Sequence, residues 1–182
     1  MFVWEKAGRV WAVQNGVKSA QPVIDIAEEV GDWRDYGLLG FALDPAFLQN
    51  GFVYLLYVVD YHHLRWFGTS SYDPNTNEYF HDTIGRLTRL TLDVHSPTLD
   101  LVPGSRQVLI GESMTTGIPI CYQSHGVGAL VFGSDGTLLV SAGEAASYDQ
   151  VDTGGPHAGS SNTALADGII QPKEDVGAFR AH

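Results

Sequence analysis

His125 sits in the stretch Ser124-His125-Gly126-Val127-Gly128, where a glycine-rich loop runs into an apolar, strand-like segment. An imidazole with an unperturbed pKa near 6.5 is suited to take a proton at neutral pH. Taken alone, a histidine in such a loop is more often structural than catalytic. Two carboxylates also stand out. Asp35 precedes Tyr36-Gly37-Leu38-Leu39-Gly40, and Glu144 follows Gly143. Loop carboxylates hold hard cations such as Ca²⁺ when several oxygens converge, although solvated surface charge is their commoner role. His62, His63 and His157 invite a metal reading. Neighbouring residues on a strand point to opposite faces, so His62 and His63 are expected to be solvated residues of a polar segment.

Short strand-like runs must position these residues. Met1 to Trp4 and Arg9 to Val13 flank a tight Lys6-Ala7-Gly8 turn, the pattern of a hairpin. Pro22 to Ile26 is a brief third run with a helix-compatible Ala27-Glu28-Glu29 behind it. Leu38 to Leu43 and Phe52 to Val59 are nearly all apolar, as strands buried on both faces are. Ile84 to Leu92 reads as an alternating strand, with Leu87, Leu90 and Leu92 set against Arg86, Thr88, Arg89 and Thr91. Arg106 to Ile110, Val127 to Phe132 and Thr137 to Ala142 complete the series. Arg86 and Arg89 fall on opposite faces; a buried ion pair for one of them is the expectation, and neither reads as a ligand. Trp4, Trp11, Trp33 and Trp66 read as packing or loop-covering aromatics.

The composition agrees with an all-β fold. Of 182 residues, 44% are hydrophobic and 17% charged, with 21 Gly against 8 Pro, the profile of many short strands joined by glycine turns. No segment carries an extended amphipathic helical period. The net charge of −11 repels phosphate backbones and anionic membranes, so nucleic acid is excluded as an expected partner. No stretch is apolar for the length of a membrane span. The single cysteine, Cys121, permits no disulfide within the chain. Met1 leads straight into strand-like residues rather than a signal peptide.

A faint repeat is also present: Gly37 to Pro45 and Gly128 to Asp135 each precede a turn and a strand, roughly 90 residues apart. That is generous for a propeller blade of about 40 to 50 residues; the excess is a polar insertion from Tyr61 to Thr83. The expected organisation is a partial β-propeller of about two to two and a half four-stranded blades. Residues 1–35 form a partial blade, 36–112 a full blade carrying the 61–83 insertion, and 113–182 a half blade with a long loop.

Four motifs carry a resemblance. Asp35 to Phe47, with Asn50-Gly51 and Tyr54, resembles the "GLLG-aliphatic-aromatic, D/H-P, F, N-G, Y" signature of the glucose/sorbosone dehydrogenase family. Ser124 to Gly136 resembles that family's "H-x-G-G-x-L-x-F-G-x-D-G" signature. Glu5-Lys6-Ala7-Gly8-Arg9-Val10 resembles its opening "EK-x-G-R-V" hairpin, and Gly85 to Arg89 its "s-R-(V/L)-x-R" strand. The resemblance implies a six-bladed propeller holding pyrroloquinoline quinone (PQQ) beside Ca²⁺, in a periplasmic or secreted setting. It implies an aldose substrate oxidised at the anomeric carbon to a lactone, with hydride transfer to PQQ and His125 as the base. The electron acceptor stays unassigned.

By the same resemblance, Gly126 and Gly128, like Gly37 and Gly40, allow backbone to approach closely near the channel. Asp35 stands where characterised members have a glutamine touching the quinone, so it is either a site residue with altered contacts or a turn residue. Ser124 replaces an acid found beside the histidine in some members. Glu144 stands near a Gly-Asp position and is a weak Ca²⁺ candidate, with loop anchoring the favoured reading. The cofactor-clamping arginines and lysine and the main Ca²⁺ loop are expected after His182, so this chain alone is expected to be inactive. The alternative is a non-enzymatic propeller that binds protein or carbohydrate, as a hedgehog-interacting relative does.

Overall fold

A computed structural model describes residues 1–143. β1 (Phe2–Trp4) and β2 (Arg9–Gln14) form the expected hairpin, extended by β3 (Val17–Lys18) and by β4 (Ile24–Asp25), which pairs with the start of β2. Only Ile24 and Asp25 of the third run are strand, and Ala27 to Glu29 is a turn rather than a helix. A second antiparallel sheet follows in chain order: β5 (Leu38–Leu43), β6 (Phe52–Val58), β7 (Thr83–Thr91) and β8 (Gln107–Ile110). β9 (Ile118–Ile120) pairs with the first half of β7. Two short helices interrupt this sheet: α1 (Phe47–Asn50) between β5 and β6, and α2 (Tyr61–Trp66) between β6 and β7. β10 (Val127–Phe132) and β11 (Leu138–Ala142) form a last hairpin that packs on β5 and β6. The fold is all-β, with successive antiparallel sheets packed face to face as in a partial propeller.

β6 is the hinge of the packing. Its odd positions, Val53, Leu55 and Tyr57, are fully buried in one cluster with Val10, Ile24 and Val30. Its even positions, Tyr54, Leu56 and Val58, are buried in a second cluster with Val127 and Leu130. A strand's side chains alternate, so an unbroken apolar run is what a sheet sandwiched between two others requires. β7 departs from the expected clean alternation for the same reason: Arg86 and Thr88 are buried along with Leu87 and Leu90.

Burying Arg86 requires a partner. Its guanidinium donates to Glu29 at 2.9 Å and to the Gly111 carbonyl at 2.7 Å. Glu29, 6% exposed, also accepts from Arg106 at 2.8 Å and from the Tyr57 hydroxyl at 2.9 Å. This is the expected ion pair, and it ties β6, β7 and the segment leading into β8 to the turn after β4. Arg89 instead lies over the Phe52 ring, 4.1 Å from its centroid.

His62 and His63 overturn their expectation. They lie on α2, not on a strand, and both are buried. Asp60 caps this helix, accepting from the backbone N–H of His62 and of His63, and it also accepts from Glu78 N–H at 3.2 Å. His62 Nε2 accepts from Asp73 N–H at 3.1 Å, so Nδ1 carries the proton donated to Glu78 at 2.9 Å. His63 Nδ1 bonds Tyr72 Oη at 2.9 Å, and Tyr72 in turn donates to Glu28. Burial lowers the His63 pKa, with the Glu29 charge opposing the shift. The two rings organise the 61–83 insertion.

Candidate functional site

β5 and β7 run in the same direction, both antiparallel to β6, so their N-terminal ends share one edge of the sheet. The loop into β10 is tied to this edge, where Asp35 N–H donates to the Gln123 carbonyl at 3.2 Å. Between the two segments lies an open cleft of about 550 Å³, lined by Asp35, Leu39, His125 and a wall of small residues that includes Gly126, Gly128 and Ala142. Thus the structure brings Asp35, His125, Gly126 and Gly128 together from segments about ninety residues apart in sequence. Glu144 and His157 lie outside the described residues.

His125 is exposed and has a φ of +52°, a left-handed conformation uncommon for a residue with a side chain. Its loop is pinned from behind. Gly143 N–H donates to the Gly126 carbonyl at 2.6 Å, and a Cβ at Gly143 would overlap the His125 carbonyl oxygen. Just beyond, the β10–β11 ladder slips between Val127 and Leu130. Ser141 fills the irregularity, its hydroxyl accepting from Ala129 N–H at 2.7 Å and donating to Ala129 O at 3.2 Å. Bulges of this kind re-aim neighbouring side chains. Ser124 is buried, 4% exposed, beside His125.

The glycines divide by role. A Cβ at Gly40 would lie 2.9 Å from the Leu56 Cβ and 3.1 Å from the Gly128 carbonyl, so Gly40 and Gly128 mark a close approach of two sheets. Gly37 has a φ of +136° and packs against Lys6. Gly126 is different: its nearest obstacle is Ile120 at 3.5 Å, ordinary contact, so no steric demand explains it.

A buried acid near the cleft was not legible in the sequence. Asp82 is 6% exposed, and burial pushes its carboxyl up to about 7. Burial and then the Asp82 charge raise the Cys121 thiol to about 11; the Tyr36 hydroxyl rises too, through burial first and Asp82 next. An aspartate opening a strand looks like any loop aspartate. Only the pairing of Thr83 with Ile120 brings it beside residue 121.

The glucose/sorbosone dehydrogenase profile matches residues 1–177. The chain belongs to the glucose/sorbosone dehydrogenase family. Solved structures share its fold, two of them as follows. One is the PQQ-bound form of an aldose sugar dehydrogenase from Streptomyces coelicolor, with a TM-score of 0.54 at 21% identity, covering 81% of this chain and 36% of that one. The other is a glucose dehydrogenase, with a TM-score of 0.53 at 18% identity, covering 79% of this chain and 34% of that one. The chain spans about a third of the length of these structures. No curated protein matches it.

Set against the PQQ that the Streptomyces coelicolor structure holds, the cleft fits on one side only. Small residues leave room for a flat ring system beside an imidazole. Among the described lining residues there is one carboxylate and no lysine or arginine to balance three cofactor carboxylates. Nor do the described residues contain a cluster of three acidic, histidine or cysteine side chains able to hold a metal ion. The described lining therefore leaves room for a flat ring and supplies no cation for its carboxylates.

Proposed function

We propose that this chain supplies the base-bearing wall of a quinoprotein sugar dehydrogenase that oxidises an aldose at its anomeric carbon. The observation that carries this reading is the convergence of His125 and Asp35 on one open cleft in a member of the family. PQQ, when bound, supplies the hydride acceptor that makes the lactone. His125 takes the proton of the anomeric hydroxyl, because loss of hydride from that carbon becomes easier as its O–H is deprotonated. The left-handed backbone and the Gly143–Gly126 bond hold the imidazole loop in place before substrate arrives. Asp35, exposed at the rim, faces an anionic cofactor favourably only with a cation such as Ca²⁺ between them. The periplasmic or secreted setting stands as part of this proposal.

The test is dye reduction by the whole protein with PQQ, Ca²⁺ and a panel of aldoses. His125→Asn is the variant of choice, since asparagine tolerates a positive φ. Turnover should fall at least about a hundredfold with the melting temperature unchanged. No reduction with any aldose, or full activity in His125→Asn, overturns the reading. The binding-scaffold alternative draws support from Ser124 and from the long 61–83 insertion. It gains if PQQ fluorescence shows no binding.

A further inference from the structure

Three aromatic rings gather at the same edge of the fold as the cleft, on two segments that the base does not use. Phe80, from the 61–83 insertion, is 77% exposed, and its ring centroid lies 4.1 Å from that of Trp33. Tyr79, 40% exposed, lies 6.0 Å from Trp33 with its ring inclined by 31°. Trp33 is anchored edge-on against the buried Tyr36, at 6.3 Å and 83°. The Arg34 guanidinium sits 5.5 Å from the Trp33 ring, adding hydrogen-bond donors at the edge of the cluster.

Two of these residues are held in costly conformations. Phe80 has a φ of +65° and Arg34 one of +51°, so with His125 three of the five non-glycine residues with positive φ among the described residues lie at this edge. A bulky aromatic in the left-handed region is a true outlier, and such strain clusters at ligand clamps. It is spent here on presenting a large ring to water. The insertion that carries this ring is polar, and both Tyr79 and the Arg34 guanidinium lie against its Trp33 neighbour.

The cluster adjoins the cleft through a single turn. Tyr36 N–H donates to the Trp33 carbonyl at 2.8 Å, closing the Trp33–Tyr36 turn, and Asp35 of that turn lines the cleft. Two residues apart, the Cα atoms of Trp33 and Asp35 are at most about 7.6 Å from each other. A pyranose pairs an apolar C–H face with a rim of hydroxyls. Exposed aromatic faces flanked by an arginine and a phenol match both halves of that chemistry.

We propose that Phe80, Tyr79 and Trp33 form an outer saccharide subsite, which takes the second ring of an oligosaccharide whose reducing-end ring occupies the His125 cleft. The inference rests on the sugar-oxidising reading for its inner ring but is separable from it by experiment. Substrate length, on this view, is read by the insertion and not by the cleft.

The experiment measures binding of glucose, maltose and cellobiose to the chain by saturation-transfer NMR titration, and separately compares KM for the same sugars in the PQQ- and Ca²⁺-loaded whole protein. At least one disaccharide should bind about tenfold or more tighter than glucose, a difference of about 1.4 kcal/mol, within what burial of one aromatic face supplies. Phe80→Asn keeps the left-handed backbone accessible, so it removes the ring without threatening the fold. It should bring the disaccharide-to-glucose ratio close to one, and Phe80→Tyr should restore it. Equal affinity for one ring and two, a ratio untouched by Phe80→Asn, or no binding of any sugar overturns the subsite. A disaccharide preference that Phe80→Asn abolishes, in a protein that oxidises no sugar, upholds the subsite and defeats the dehydrogenase reading. Oxidation of glucose and disaccharides with the same KM, unaffected by Phe80→Asn, does the reverse.

Discussion

Asp82→Asn keeps the size of a buried side chain and removes its ability to ionise. Burial disfavours the carboxylate, so in the folded chain Asp82 keeps its proton up to about pH 7, whereas the unfolded chain releases it near 3.8. Between those values the folded state binds more protons than the unfolded one, and stability falls as pH climbs. Below the interval both states are neutral at this position; above it the loss is complete. Each pH unit of separation corresponds to about 1.4 kcal/mol, which sets a ceiling of about 4 kcal/mol. The small solvent contact that remains to the carboxylate reduces the expected value to about 2 kcal/mol. Asp82→Asn should therefore be more stable than the wild type by about 2 kcal/mol at pH 8, or about 6 °C in melting temperature. At pH 4 the two proteins should coincide. Thermal and urea unfolding at both pH values provide the measurement. A wild type as stable as the variant at pH 8, or a gap of equal size at pH 4, would refute the view that Asp82 is held in its acid form by burial.

Glu29→Gln leaves the Arg86 guanidinium buried without its counter-charge, and should lower stability by about 3 kcal/mol. The double variant Glu29→Gln/Arg86→Met should recover part of the loss in urea unfolding at pH 7. Gly143→Ala, whose new methyl would meet the His125 carbonyl, should cost more than about 1 kcal/mol, while Gly126→Ala should change stability by less than about 0.5 kcal/mol. Comparing their melting temperatures checks both at once.

Much of the fold follows from two kinds of pattern. The unbroken apolar run from Phe52 to Val59 announces a strand covered on both sides, and β6 is covered on both sides. Glycine turns mark the first hairpin, and Asp135-Gly136 marks the last. Local pattern failed where a distant partner decides the outcome. Arg86 and Thr88 read as the polar side of an alternating β7, and although a buried ion pair was expected for one arginine, nothing near them announces Glu29 and Tyr57 as the partners. Paired histidines read as strand residues because the preceding Asp60 cap is visible only once a helix is entertained. β3 and β9 are too short to carry a period. At the cleft, Asp35 and His125 were legible as motif positions. Asp82 and the Trp33–Phe80 cluster depend on strand register and on the folding of the insertion, and neither leaves a trace in the local sequence.

The two faces of β6 also set an order of loosening. Among the described residues the β10–β11 hairpin packs on the second cluster, with Val127 and Leu130 buried beside Leu56 and Val58 and with Phe132, Leu138 and Val140 packed against it. A two-stranded hairpin has little stability of its own, so in the described residues this unit should open at a lower free energy than the doubly covered sheet beneath it. The loop bearing His125 enters that hairpin. Its placement is therefore a property borrowed from the side chains of this one cluster, and the chemistry at the cleft becomes sensitive to apolar groups that never touch a substrate.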